Sequence, residues 1–299
     1  MKIVISGATS FLGVELTKLF LRRGDDIIAI CRKNSYRLKD LPPSVTIIYA
    51  DMHEYKELHN YINHSDVFIH LSWAGTTHEG RDQLEIQQLN IQHSLDLMNV
   101  ASKVGARLFV TAGSQAEYGV TNCPQVENMI CNPFSEYGKA KLDLSKKGAD
   151  FAKSLHLKYM HLRIFSLYGE FDHPWTLVMQ CMEKMQNNIA IELSNCTQNW
   201  NYLYVVDAAH QIAKLCDYAI NNSDFINEIY NIASDDTREL KEYVERIKLL
   251  LCSRSDLQYG AINPDKIVSL QPNMDKTRQI VGILSHHTFD EIITNMKRQ

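Results

Sequence analysis

The 299-residue chain lacks a surplus of basic charge: 31 Lys and Arg stand against 35 Asp and Glu, a net charge of −4. No stripe of cations could follow a phosphodiester backbone, so nucleic acid is not an expected partner. No apolar run reaches the roughly 18 residues of a membrane span, so no membrane partner is expected. The opening residues, Met1-Lys2-Ile3-Val4-Ile5-Ser6, carry none of the basic, apolar and small-residue zones of a secretory leader, and the expected location is cytoplasmic. The seven cysteines (Cys31, Cys123, Cys131, Cys181, Cys196, Cys216, Cys252) contain no C-x-x-C pair, and their number is odd. That pattern reads as buried reduced thiols rather than a disulfide framework or a metal site. The twelve histidines include no H-x-x-x-H pair, so no metal is expected.

What remains is ordinary globular composition, 45% hydrophobic and 22% charged, with a strong internal rhythm. Short apolar runs at 2–6, 26–31, 45–50, 67–71, 107–111 and 158–165 alternate with amphipathic stretches at 11–23, 54–62, 81–104 and 135–154. Gly24 and Gly105 stop two of these helices. Continuous apolar strands alternating with helices predict an α/β fold, a doubly wound parallel sheet of Rossmann type. After about Tyr168 the rhythm loosens, and a smaller C-terminal α/β substrate-binding region is expected. The expected division is 1–168 for the dinucleotide-binding domain, with 200–232 returning to it, and 169–199 plus 233–299 for the substrate domain. The run 202–206 reads as a strand that rejoins the main sheet, and 236–251 as a helix.

The first strand runs into Gly7-Ala8-Thr9-Ser10-Phe11-Leu12-Gly13 and then a helix. Gly7 permits the tight turn and Gly13 close packing of helix on sheet. The free N–H groups and positive end of that helix suit a pyrophosphate. The usual middle glycine is Ser10, whose hydroxyl can itself donate to phosphate. The second strand ends in Cys31-Arg32-Lys33, with no acid to accept ribose hydroxyls. A guanidinium there suits a 2′-phosphate, which favours NADP(H) and leaves NAD(H) possible. Arg32 stacking on adenine or facing solvent is the alternative. Asp51-Met52, after the third strand, can hold the adenine edge.

Tyr137 and Lys141 stand four apart in the 135–154 helix and so share one face. A phenol has a pKa near 10, and bringing it to neutrality takes about 4 kcal/mol of differential stabilisation. A neighbouring ammonium and a cationic nicotinamide ring both act in that direction. The fifth strand ends at Ser114, where a doubly wound sheet binds its ligands. Tyr137, Lys141 and Ser114 are therefore the candidate catalytic set.

In these motifs the chain resembles the extended short-chain dehydrogenase/reductases of the NAD(P)-dependent epimerase/dehydratase family. Further marks are Ile69-His70-Leu71-Ser72-Trp73-Ala74, Asn90, Tyr118-Gly119, Leu162-Arg163-Ile164-Phe165-Ser166-Leu167-Tyr168-Gly169, Tyr202-Leu203-Tyr204-Val205-Val206-Asp207 and Tyr230-Asn231-Ile232. The resemblance implies hydride transfer at a nucleotide-linked sugar. Ser114 and Tyr137 would contact the reacting oxygen, and Lys141 would hold the nicotinamide ribose. Leu71, Trp73, Asn90 and Phe165 would belong to the cofactor site, and the helices carrying Asn90 and Tyr137 to a homodimer interface.

Four departures narrow the reaction. The acid/base pair of the dehydratases is replaced by Gln115-Ala116, which excludes 4,6-dehydration and leaves Gln115 a substrate contact; Glu117, one residue on, is expected to point elsewhere. Ser166 stands where many members have a substrate-binding asparagine. Trp200 stands where an arginine often binds diphosphate, and either stacks on base or sugar or packs in the core. A later diphosphate arginine is not evident near Gly260-Ala261-Ile262, where Lys266 can substitute. The expectation is NADPH-dependent reduction of the C4 ketone of a nucleotide 4-keto-6-deoxyhexose. A 4-epimerase with tightly bound NAD is the alternative enzyme, and a non-catalytic dinucleotide sensor the alternative of another class.

Overall fold

A computed structural model describes residues 1–77, 79–264 and 266–297. Seven strands form its central sheet: β1 (Lys2–Ser6), β2 (Asp26–Cys31), β3 (Thr46–Tyr49), β4 (Val67–His70), β5 (Leu108–Ser114), β6 (Lys158–Ile164) and, after three strands outside it, β10 (Asn227–Ile232). Their order is β3-β2-β1-β4-β5-β6-β10, and every neighbouring pair is parallel. β1, β4 and nearly all of β5 are buried because helices cover both faces. On one face lie α1 (Phe11–Arg22) and α5 (Val205–Asn221), which pack together over Ile3, Ile5, Ile69 and Val110. On the other lie α2 (Leu84–Lys103) and α3 (Glu136–Ser154), with Leu97, Met98 and Ala152 over Val4, Phe68 and Phe109.

The remaining elements build a second core. β7 (Ser166–Tyr168), β9 (Asn199–Tyr204) and β11 (Thr237–Glu239) form a three-stranded sheet in the order β11-β9-β7, and β8 (Ile191–Leu193) pairs with β12 (Leu257–Tyr259). With α4 (Leu177–Gln186), α6 (Leu240–Leu251) and α8 (Phe289–Met296) they enclose Tyr168, Met182, Tyr202, Tyr243 and Phe289. α7 (Asp275–Val281) packs against α5 and β10.

Two expectations fail here. The run at 202–206 does not rejoin the main sheet: β9 pairs with β7 and β11, and Val205–Val206 open α5. The chain leaves the main sheet at Phe165, and Ser166 aligns with Tyr202 rather than with a main-sheet strand. The strand that does return is β10, beside β6. The helix expected from 236 begins at Leu240, because Thr237–Glu239 are held as a strand against Asn199–Asn201.

Candidate functional site

The sheet order reverses between β1 and β4, and ligands of such sheets sit beyond the carboxyl ends of the strands at that reversal. There a cleft of about 960 Å³ runs from Arg32, Asp51 and Met52, past Gly7, Thr9, Ser10, Phe11 and Leu12, to Ser114, Tyr137 and Lys141. The phosphate loop needs its glycines. Gly7 has φ +73°, and a Cβ there would sit 2.9 Å from the Ser72 nitrogen. At Gly13 a Cβ would sit 2.3 Å from the Gly7 oxygen; Gly13 packs beneath the loop and does not line the cleft. Ser10 caps α1: its Oγ accepts the Gly13 N–H at 3.0 Å. The N–H groups of Phe11 and Leu12, in the first turn, have no intrahelical partner. This Cβ-free cradle at a helix N-terminus fits the pyrophosphate of a dinucleotide.

At the far end Arg32 is exposed and also lines a depression with Lys33, Asn34, Tyr49, Ala50, Asp51 and Glu54. The Asp51 backbone N–H donates to the Glu54 carboxylate at 2.7 Å. Arg37, unremarked in the sequence, is buried in the same wall and pairs with Asp40 at 3.1 Å.

At the reacting end Ser114, Tyr137 and Lys141 are all buried and line one cleft. Ser135 caps α3, its Oγ accepting the Gly138 N–H at 3.1 Å, and this fixes the turn that carries Tyr137. Lys141 Nζ donates to the Ala112 carbonyl at 2.6 Å and lies 3.5 Å from the centre of the Trp73 ring. Burial pulls the Lys141 pKa down to about 7, with Glu117 acting the other way. The indole of Trp73 meets the Tyr137 ring edge-on at 6.3 Å, and its Nε1 donates to Gln87 Oε1 at 2.8 Å.

The expected acidification of Tyr137 by Lys141 is not what this geometry gives. Burial raises the phenol pKa; Arg81 and the Ser114 hydroxyl act against it, and Glu117 adds to it. Lys141 Nζ stands 5.7 Å from the Tyr137 ring centre and is turned to Ala112 and Trp73. The nearer cation is Arg81, whose Cζ is 4.8 Å from that centre. Sequence spacing could not show Arg81, because it reaches the phenol from a different element.

The other expected residues divide. Leu71, Trp73, Asn90, Phe165, Gln115 and Ser166 line the cleft. Asn90 nevertheless has its side-chain amide tied to the backbone of Ala74, donating and accepting at 2.9 Å, so it braces that loop. Trp200 is not on the cleft wall: it sits on β9 between the two cores, and its buried Nε1 has no hydrogen-bond partner. Its main contacts are apolar because β9 belongs to the smaller sheet. Lys266 lies over the Phe134 ring at 4.5 Å and is also off the cleft wall. A stacked pair missed in the sequence, His173 and Trp175, lines the cleft with ring centres 4.3 Å apart.

The parallel sheet, the glycine cradle and the buried Ser/Tyr/Lys set define a dinucleotide-binding oxidoreductase fold. Residues 3–233 match the model of the NAD dependent epimerase/dehydratase family, and the chain belongs to that family. It is an enzyme of this NAD-dependent group. It is 23% identical to a CDP-abequose synthase of Salmonella muenchen over 91% of this chain and 89% of that one. It is 23% identical to a dTDP-4-dehydro-6-deoxyglucose reductase of Escherichia coli over 83% and 81%. The crystal structure of a UDP-glucose 4-epimerase from Thermotoga maritima, in complex with UDP-glucose, superposes with a TM-score of 0.88 at 17% identity, covering 100% of this chain and 98% of that one. No helix among the described residues is long and apolar enough to cross a membrane.

Proposed function

We propose that the enzyme reduces the C4 ketone of a nucleotide-activated 4-keto-6-deoxyhexose with NADPH. The observation that carries this reading is a buried phenol, Tyr137, whose pKa burial raises and which shares one cleft with Ser114 and the phosphate loop. Reduction of a ketone consumes a proton, and a phenol whose pKa is raised is a donor at neutral pH. The dinucleotide, when bound, supplies the hydride. Tyr137 gives its proton to the carbonyl oxygen. Ser114 Oγ accepts the Ala116 N–H at 3.2 Å, which leaves its own proton free to polarise that oxygen. Lys141, anchored on Ala112, lines the same cleft. Gln115 and Ala116 offer no carboxylate for dehydration. Arg32, exposed at the adenosine end, supports NADPH over NADH.

The test is a panel of nucleotide 4-keto-6-deoxysugars followed at the NADPH absorbance band. Turnover that falls about 10³-fold in Tyr137→Phe, with NADPH affinity unchanged, supports the reading. NAD that co-purifies with the protein, with epimer formation and no net NADPH oxidation, overturns it in favour of a 4-epimerase.

A further inference from the structure

Directly beneath Ser114, on the side away from the cleft, lies a polar cluster for which the proposed mechanism has no step. Glu117 is fully buried. Its Oε1 accepts the backbone N–H of Ser114 at 2.8 Å and His161 Nε2 at 2.9 Å. Its Oε2 accepts Arg163 Nε at 2.8 Å. The far side of the cluster is fixed as well. His161 Nδ1 is 2.8 Å from Thr111 Oγ1, and Arg163 donates to the Glu127 carbonyl at 2.9 Å with its Cζ 4.5 Å from the Tyr118 ring centre. The chain clears space for this cluster: a Cβ on Gly113 would stand 2.2 Å from His161 Nε2 and 2.5 Å from Glu117 Oε1.

A buried carboxylate is costly unless it is paired and fully hydrogen-bonded. Burial alone would raise its pKa; His161, Arg163 and the Ser114 N–H outweigh this and hold it down, to about 2. It is therefore charged at neutral pH. The titratable groups around it are Tyr118, Tyr159, His161, Arg163 and Cys131 on the inner side, with Tyr137 and Lys141 towards the cleft. Glu117 is the carboxylate that acts on both groups of the Tyr/Lys pair. Lys141 has no carboxylate within salt-bridge distance among the described residues.

We infer that Glu117 is a positioning residue: clamped by His161 and Arg163, its carboxylate fixes the Ser114 backbone at the end of β5 and so the place of the Ser114 hydroxyl in the cleft. Glu117 does not touch the cleft, so it acts through Ser114. The inference rests on the reductase reading for its kinetic consequence only. A misplacement of about 1 Å at a reacting group can cost 100-fold in rate.

The experiment compares the full-length wild type with Glu117→Gln and with Glu117→Gln/Arg163→Met, which removes both buried charges together and so leaves neither unpaired. Circular dichroism and NADPH binding verify the fold. In the folded variants kcat is expected to fall about 100-fold with KM for the nucleotide sugar little changed. Glu117→Asp, which keeps the charge and shortens the reach to Ser114, is expected to leave kcat low. A folded double variant with kcat within about threefold of wild type overturns the inference. If the wild type turns over no nucleotide sugar, the reductase reading fails, and the Ser114 amide proton decides the role of Glu117 by itself: in 15N–1H NMR it is expected to move upfield in Glu117→Gln as its charged acceptor is lost, and an unmoved signal overturns the inference.

Discussion

Lys141 should make the protein less stable at neutral pH than it is without that ammonium. Its side chain is almost fully buried, and its pKa falls from the ordinary 10.5 to about 7. At 1.36 kcal/mol per pH unit this is about 5 kcal/mol against the folded state wherever the folded chain also holds the proton. The sign follows from proton counting. Below about pH 7 both states carry the proton, and the cost is present in full. Between about 7 and 10.5 the unfolded chain binds more protons than the folded one, so this contribution to stability rises with pH. Above 10.5 both forms are neutral and the cost is gone. Lys141→Met removes the ammonium but also its hydrogen bond to Ala112 and its contact with Trp73, together worth about 2 kcal/mol. The variant is therefore expected to be more stable than wild type by about 2–3 kcal/mol at pH 6.5. Urea unfolding from pH 6 to 10 measures it. The wild-type curve should rise relative to the variant curve as pH increases, and the order should reverse near the alkaline end. Two curves that stay parallel across this range refute the reasoning, because they mean that the ammonium is solvated or otherwise neutralised in the folded chain.

Two further outcomes test other parts of the site. Gly113→Ala drives a methyl group into His161 and Glu117, neither of which can retreat without losing hydrogen bonds, so a loss of about 2–3 kcal/mol in urea unfolding is expected; stability equal to wild type would show that the cluster yields. Arg32→Ala is expected to weaken NADPH about 10-fold or more in a fluorescence titration while NADH changes little; equal losses for both would place Arg32 on a group that the two cofactors share.

The parts of the site that could be read in the sequence are those set by short-range geometry. Gly7 and Gly13 are demanded by a turn and a helix packing within seven residues, Tyr137 and Lys141 by one helical turn, and Ser114 by the end of an apolar strand. The parts that could not be read depend on residues far apart in the chain. Glu117 meets its partners 44 and 46 residues away on β6, and nothing in Gln115-Ala116-Glu117 shows which way its carboxylate turns. Arg81 comes to Tyr137 from the turn before α2. The run at 202–206 had the composition of a buried strand, and β9 is buried; but burial does not say in which sheet. Trp200 had two readings that the sequence weighed equally, and the strand pairing of β9 with β11 settles its place between the cores.

The error over Tyr137 has a physical lesson. In water a phenol and an ammonium have nearly equal pKa values, about 10 and 10.4, so proton transfer between them is close to balanced. Spacing along a helix suggests an ion pair for that reason. The interior moves the two groups apart: burial raises Tyr137 and lowers Lys141, each towards its neutral form. The ion pair becomes the less stable arrangement, and the phenol keeps its proton. Positive charge entering the cleft tilts the balance back towards phenolate, and Arg81 already acts in that sense. The sequence pair thus fixes which two groups meet. Which of them holds the proton is decided by what surrounds them: an indole face, a strand-end carbonyl and one buried carboxylate behind the serine.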